Sequence, residues 1–323
     1  DQGRFMADIT DYHNGIAAID ADYVAPKVAA IHLLMHRGQA AIIDTGTNHS
    51  VARVMEALGL FGIAPEQVSM VILTHIHLDH AGGCGELMQR LPNAQLLVHP
   101  RGARHMVNPE RLTKGTIAVY GEKKAASLYG ALRPVESSRV HETAHEERVS
   151  LHGRELLLLH TPGHALHHQC ILDLQTGHLF SGDTFGLSYR QLDRGDRQFI
   201  MATTTPVHFD PVALHQSVDL LAAFRPEAIY LTHYSQITNI PRMHLELKAS
   251  IDAQVEIAQC ARGVGPARVK EINRGLTQWI TGLSKAQGWG LQGDAAANWL
   301  AMDIELNAQG LNHWLERSEG GEQ

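Results

Sequence analysis

Residues Thr74-His75-Ile76-His77-Leu78-Asp79-His80 place three imidazoles and a carboxylate within six positions. Nitrogen and oxygen donors of this kind suit zinc or iron. With 22 histidines in 323 residues a lone histidine means little. The pattern H-x-H-x-D-H is different, because it arises by chance in only roughly one chain in two hundred at such a composition. The cluster follows Val68–Leu73, a branched apolar run that reads as a buried strand. It precedes Ala81-Gly82-Gly83, read as a tight backbone turn. The donors therefore belong to a loop at the end of a strand, where α/β folds present their chemistry.

Three more apolar runs end in the same way. Leu156–Leu159 leads into Thr161-Pro162-Gly163-His164, Leu179-Phe180 into Ser181-Gly182-Asp183, and Ala228–Leu231 into Thr232-His233. An open metal site needs three protein ligands plus water. The seven candidates His75, His77, Asp79, His80, His164, Asp183 and His233 suffice for two such sites.

Together with Asp44-Thr45-Gly46, and in this order, these motifs resemble the metallo-β-lactamase superfamily over roughly residues 8–240. The resemblance implies an α+β fold, a four-layer αβ/βα sandwich. It implies that His75, His77 and His164 bind one ion, that Asp79, His80 and His233 bind a second, and that Asp183 bridges them. Asp44 would orient ligands without binding metal. Two ions roughly 3.5–4 Å apart can share one hydroxide as nucleophile, and a carbonyl or phosphoryl oxygen can bind one of them. Asp79 would both ligate and accept a proton, which makes it the candidate catalytic residue.

Within the superfamily, a bridging Asp183 argues against a true β-lactamase. A lactonase would carry Tyr three residues past the bridging Asp, where this chain has Gly186. Glyoxalase II carries a helical C-terminal region, as expected here. Its aromatic residue lies two positions past the last metal His, whereas Tyr234 lies one past His233, and no basic glutathione cluster can be assigned. The expectation is a dinuclear hydrolase cleaving an ester-like bond (thioester, lactone or phosphodiester) of a small molecule. Zinc is the first choice of metal, with iron or manganese as alternatives. The alternative function is an iron-containing redox protein on the same fold, acting on oxygen, nitric oxide or a persulfide. A third is a binding protein that keeps the metal site.

The supporting elements follow from periodicity. Gly15–Ile19, Val28–Leu34 and Ala40–Ile43 read as antiparallel strands, Ser50–Leu60 and Glu86–Leu91 as helices, and Gln95–Val98 as a strand. Residues 100–140 read as an insertion with short helices at Pro109–Leu112 and Gly121–Tyr129, which either roofs the active site, with Tyr120 and Tyr129 as pocket candidates, or packs against the outer sheet. Residues 241–323 read as three helices, over 241–261, over 266–286 and from a cap at Asp294, with the tail Ser318–Gln323 disordered. The expected division is a catalytic domain, 1–240, and a C-terminal helical region, 241–323, able to pair with a second copy. Phe209 and Tyr234 are expected in the substrate pocket.

Composition sets limits on partners. The net charge is −7, so no broad basic surface for nucleic acid is expected, and no apolar run is long enough to span a membrane. The three cysteines, Cys84, Cys170 and Cys260, suggest a reducing compartment, the cytoplasm. The first residue is Asp1 and not Met, so the periplasm stays open. Finally, His141-Glu142-Thr143-Ala144-His145 matches the zinc-protease motif H-E-x-x-H, but that motif needs a helix and the local sequence reads as strand and turn. His141→Ala is expected to leave metal content unchanged in elemental analysis. A drop would bring this motif back as a ligand pair.

Overall fold

The computed structural model describes residues 7–320. The chain forms two compact units. The first comprises residues up to His160, then His167–Gly182 and Thr232–Ser235. Its larger sheet runs in sequence order through β1 (Ile9–Asp11), β2 (Ile16–Asp20), β3 (Ala30–His36), β4 (Gln39–Ile43), β5 (Val68–Ile72), β6 (Gln95–Val98) and β7 (Val140–Glu142). Strands β1 to β4 are antiparallel. Arg37 and Gly38, both at positive φ, make the two-residue β3–β4 hairpin turn. From β4 to β7 the pairing is parallel, so each connection must cross over. Helix α1 (Val51–Leu60) makes the first crossing, α2 (Leu78–Ala81) and α3 (Cys84–Arg90) the second, and α4 (Pro100–Val107), α5 (Glu110–Tyr120) and α6 (Glu122–Tyr129) the third. Every residue of β2 is buried, and so is all of β4 beyond Gln39, as expected of strands covered on both faces.

The unit also holds four antiparallel strands of a second sheet: β8 (Glu147–Leu151), β9 (Arg154–His160), β10 (Gln169–Asp173) and β11 (Leu179–Gly182), in the order β11-β10-β9-β8. Arg154 and Asp173 face each other across β9 and β10, fully buried, with Nε–Oδ1 at 3.1 Å and Nη2–Oδ2 at 2.6 Å. Arg154 Nη1 also donates to the carbonyls of Asn14 and Met35, joining the two sheets. Gly15 is required beneath it, because a Cβ there would come within 2.5 Å of Nη1.

The second unit comprises Thr161–Leu166, Asp183–Leu231 and the chain from Gln236 onward. It carries α7 (Pro211–Ala223), β12 (Ile229–Leu231), most of β13 (Ser235–Ile237), α8 (Ile240–Cys260), α9 (Gly265–Gln287), α10 (Asp294–Trp299) and α11 (Ala301–Glu319). The expected third C-terminal helix is broken at Leu300 into α10 and α11, and the residue capping α10 is Gly293, with Asp294 inside the first turn. Ser318 and Glu319 continue α11 where a disordered tail was expected, and residues 321–323 lie outside the described ones. Leu245 on α8 is 68% exposed. The buried face uses Met243, Leu247, Ile251, Gln254 and Ala258 instead. Among the described residues no helix is long and apolar enough to cross a membrane, and no disulfide joins the three cysteines.

The buried ion pair generates a pH prediction. Burial pushes the Asp173 carboxyl up, but hydrogen bonds from Arg154 and Thr176 outweigh it and hold it below its ordinary value. The pair's contribution is therefore complete above the unfolded carboxyl pKa of about 3.9 and is lost as pH falls through the lower folded value. Asp173→Asn leaves a buried guanidinium without its counter-charge and is expected to cost about 3–5 kcal/mol in urea denaturation at pH 7. The gap to wild type should narrow below about pH 4. A gap independent of pH would contradict the assignment.

Candidate metal centre

In the first unit the chain leaves β5 through Leu73 and Thr74, and His77 caps the single turn of α2, which carries Asp79 and His80. Thr45 fastens this turn by donating from both N and Oγ1 to the His80 carbonyl. Gly82 and Gly83, expected to serve a tight turn, have ordinary helical-side angles, with φ −61° and −83°. Close approach is their reason instead: a Cβ on Gly83 would lie 2.6 Å from the Thr47 carbonyl and 2.8 Å from that of Thr45.

Asp79, His80 and His233 present donor atoms that lie within 4.8 Å of one another. Asp79 Oδ2 is 3.4 Å from His80 Nε2 and 3.2 Å from His233 Nε2. The far nitrogens of both rings point at acceptors. His80 Nδ1 donates to Asp44 Oδ2 at 2.9 Å, and His233 Nδ1 donates to the Val28 carbonyl at 2.7 Å. An ionised carboxylate and a carbonyl can only accept, so the proton of each neutral imidazole sits on Nδ1 and the Nε2 lone pair faces Asp79. Two lone pairs and a carboxylate facing each other repel unless positive charge stands among them. Two donors bound tetrahedrally to one zinc at about 2.05 Å lie roughly 3.3 Å apart, so the spacing fits a shared cation. Burial raises the Asp79 carboxyl, but when His80 and His233 are protonated their charge and hydrogen bonds outweigh burial and hold it well below the usual carboxylate range, so protons supply the positive charge that a cation would otherwise bring.

Asp44, buried and at φ +59°, is the hub behind this group. It accepts from Thr74 N (2.7 Å), Thr74 Oγ1 (2.8 Å), Thr232 Oγ1 (2.9 Å) and His80. The segments bearing His75 and His233 each begin with Thr-His, and both threonines serve Asp44. That repeated dipeptide was the readable signal for Thr74 and Thr232. His75 Nε2 lies 2.9 Å from His77 Nδ1, and the His168 ring stacks on His75 at 4.8 Å. His167 Nδ1 accepts from Ile76 N.

The second unit brings His164 and Asp183 together, with Nε2–Oδ2 at 3.4 Å, again the spacing of two donors on one ion. Gly163, at φ +132°, lets the Thr161–His164 turn press onto α7, where a Cβ would meet the Leu214 backbone at 2.3 Å. Thr203 Oγ1 lies 2.9 Å from His164 Nδ1. Gly186 is fixed by the backbone, since it has φ +78° and a Cβ there would reach 2.3 Å from the Met201 carbonyl. No tyrosine fits at that position.

The donor chemistry and spacing thus suit divalent metal ions. The family described as the metallo-β-lactamase superfamily matches residues 26–233. The chain belongs to the metallo-β-lactamase superfamily. A metallo-β-lactamase fold-containing protein of Sulfurisphaera tokodaii is 25% identical over 273 residues, covering 82% of this chain and 97% of the relative. A hydroxyacylglutathione hydrolase of Xanthomonas euvesicatoria is 29% identical over 196 residues, covering 60% of this chain and 56% of the relative, so the match spans little more than half of that enzyme. A metallo-β-lactamase family protein of Thermus thermophilus has a similar fold, with a TM-score of 0.66 at 20% identity over 95% of this chain and 94% of the other. These relatives place the chain in a branch of the superfamily apart from the true β-lactamases.

Other expected residues fall as follows. Phe209 is fully buried in the second unit, edge-on to Trp314 at 6.2 Å, and its carbonyl accepts from Arg317. Tyr234 is buried in the first unit beside His233. Tyr129 hydrogen-bonds to Tyr23, with the hydroxyls 3.2 Å apart and the rings stacked at 6.1 Å, and the Tyr120 ring lies tilted against it. Tyr23 carried no sequence signal. Burial, and behind it the Asp79 carboxylate, pushes both the Tyr23 and Tyr129 phenols far above their ordinary value, so they remain protonated donors. The H-E-x-x-H segment is strand and turn: His141 lies in β7 and binds Glu147, and His145 accepts from His160 N.

Asp44→Asn is expected to weaken zinc binding about 10–100-fold in competition with a chromophoric chelator, with Thr232→Val acting in the same direction and less. Unaltered affinity in both would contradict the role given to Asp44.

Proposed function

We propose that this protein is a dinuclear metal-dependent hydrolase of small-molecule ester-like bonds, with a thioester the first candidate. The observation that carries the reading is the convergence of His233 Nε2 and His80 Nε2 on the Asp79 carboxylate, at 3.2 and 3.4 Å. The superfamily match and the similarity to a hydroxyacylglutathione hydrolase support it. In this reading Asp79, His80 and His233 would hold one ion, His75, His77 and His164 would hold the other, and Asp183 would serve both. Bound cations would supply a water of lowered pKa and an electrophile for the scissile carbonyl oxygen. Asp79 would offer one carboxylate oxygen to the ion, leaving the other able to accept a proton. Asp44 holds the His80 tautomer that leaves Nε2 available. Tyr23 and Tyr129, as neutral phenols near Asp79, can donate to substrate oxygens. Zinc is the first choice of ion. His and Asp donors also suit iron, which is the basis of the redox alternative.

The test is zinc-loaded protein assayed against a hydroxyacyl thioester of glutathione, a simple acyl thioester, a lactone, a phosphodiester and a cephalosporin. Thioester turnover is expected, abolished by a chelator, restored by added zinc and lost in Asp79→Asn. If the loaded protein leaves every compound intact, the hydrolase reading falls. Visible absorption from iron in protein purified without added metal, with oxygen consumption, would favour the alternative.

A further inference from the structure

The second unit buries an unusual amount of polar structure beneath its C-terminal helices. Ser250 and Gln254 on α8 and Asn307 on α11 are all buried, and all three bond to the segment Ala202–Thr204. Ala202 N donates to Ser250 Oγ at 3.0 Å. The Ala202 carbonyl accepts from Gln254 Nε2 at 2.9 Å and Asn307 Nδ2 at 3.1 Å. Thr204 N donates to Asn307 Oδ1 at 2.9 Å, and Asn307 Nδ2 also donates to Gln254 Oε1 at 3.0 Å. Gly310 lets α11 lie directly on this backbone, since a Cβ there would stand 1.8 Å from the Thr204 carbonyl oxygen. Burying two carboxamides and a hydroxyl is costly unless each finds partners, and these do. An apolar seam would pack two helices just as well. The network instead fixes the backbone on both sides of one residue, Thr203.

Thr203 is where this fixing reaches the chemistry. Its hydroxyl carries one proton and stands between the Asp183 carbonyl oxygen, 3.3 Å away, and His164 Nδ1, 2.9 Å away. The carbonyl can only accept; a Thr203 proton directed to it leaves the hydroxyl oxygen to accept the Nδ1 proton of His164. That leaves the His164 lone pair on Nε2, the atom facing Asp183 Oδ2. We propose that α8 and α11 act as a clamp that sets the tautomer and orientation of His164 for metal binding, with Thr203 the positioning residue and Gln254 and Asn307 the groups that hold it. This rests on the reading of His164 as a metal ligand. It gives the C-terminal helices a part in building the metal centre.

The experiment measures affinity for zinc alone, by chelator competition, and the visible spectrum of the cobalt-loaded protein, on the full chain. Thr203→Val keeps the shape and removes the hydroxyl, Thr203→Ser restores it, and Asn307→Leu removes the clamp's carboxamide. Thermal melts of the metal-free variants establish that each is folded. Thr203→Val is expected to weaken one zinc-binding step about 10–100-fold and alter the cobalt bands, with Thr203→Ser close to wild type. Asn307→Leu should shift both readouts the same way and by less. Wild-type affinity and spectrum in Thr203→Val overturn the proposal, whatever Asn307→Leu does, and so does a Thr203→Ser variant as impaired as Thr203→Val. If the wild-type chain binds neither zinc nor cobalt, the metal-centre reading itself fails and takes the clamp with it.

Discussion

The buried carboxylate of Asp44 is the constraint around which the first unit's chemistry is arranged. An ion taken out of water costs several kcal/mol unless hydrogen bonds replace its hydration. Here the replacements are Thr74 N and Oγ1, Thr232 Oγ1 and His80 Nδ1. Each comes from a segment that also bears a candidate ligand. Satisfying one buried charge thereby fixes the ends of β4 and β5 and the Thr232–Ser235 segment at once. The αL backbone of Asp44 and the positive φ of Gly46 turn the chain sharply away afterwards.

A related arrangement recurs at three of the candidate imidazoles. His80 is backed by a carboxylate, His233 by the Val28 carbonyl and His164 by the Thr203 hydroxyl. An acceptor behind Nδ1 places the lone pair on Nε2, raises its basicity and removes rotational freedom from the ring.

Much of this was legible in the sequence because it is carried by local patterns. Branched apolar runs ending in His or Asp mark β5, β9, β11 and β12, and the spacing of residues 75–80 marks the loop itself. The long amphipathic helices α8 and α9 were also visible. What escaped has no local signature. Strand β10, Gln169–Asp173, opens with Gln169, which serves Leu73 and Thr143, and closes with Asp173, which serves Arg154, so polar ends hide a fully buried strand. The break between α10 and α11 at Leu300 falls in an unbroken apolar pattern. Tyr23, Thr203 and Asn307 act through partners more than 30 residues away, and residue type alone does not announce that. The glycines following the metal loop were noticed for their conformational freedom, whereas the fold uses the absence of their side chains.

The central claim is that this chain's histidines and aspartates cage two cations. The most direct measurement is metal content per chain by elemental mass spectrometry after equilibration in buffered zinc and removal of excess ion. The account predicts two zinc ions per chain in the wild type, and one in His233→Ala with its fold intact by circular dichroism. A wild-type chain that retains no zinc, or a His233→Ala variant that retains two, would contradict it.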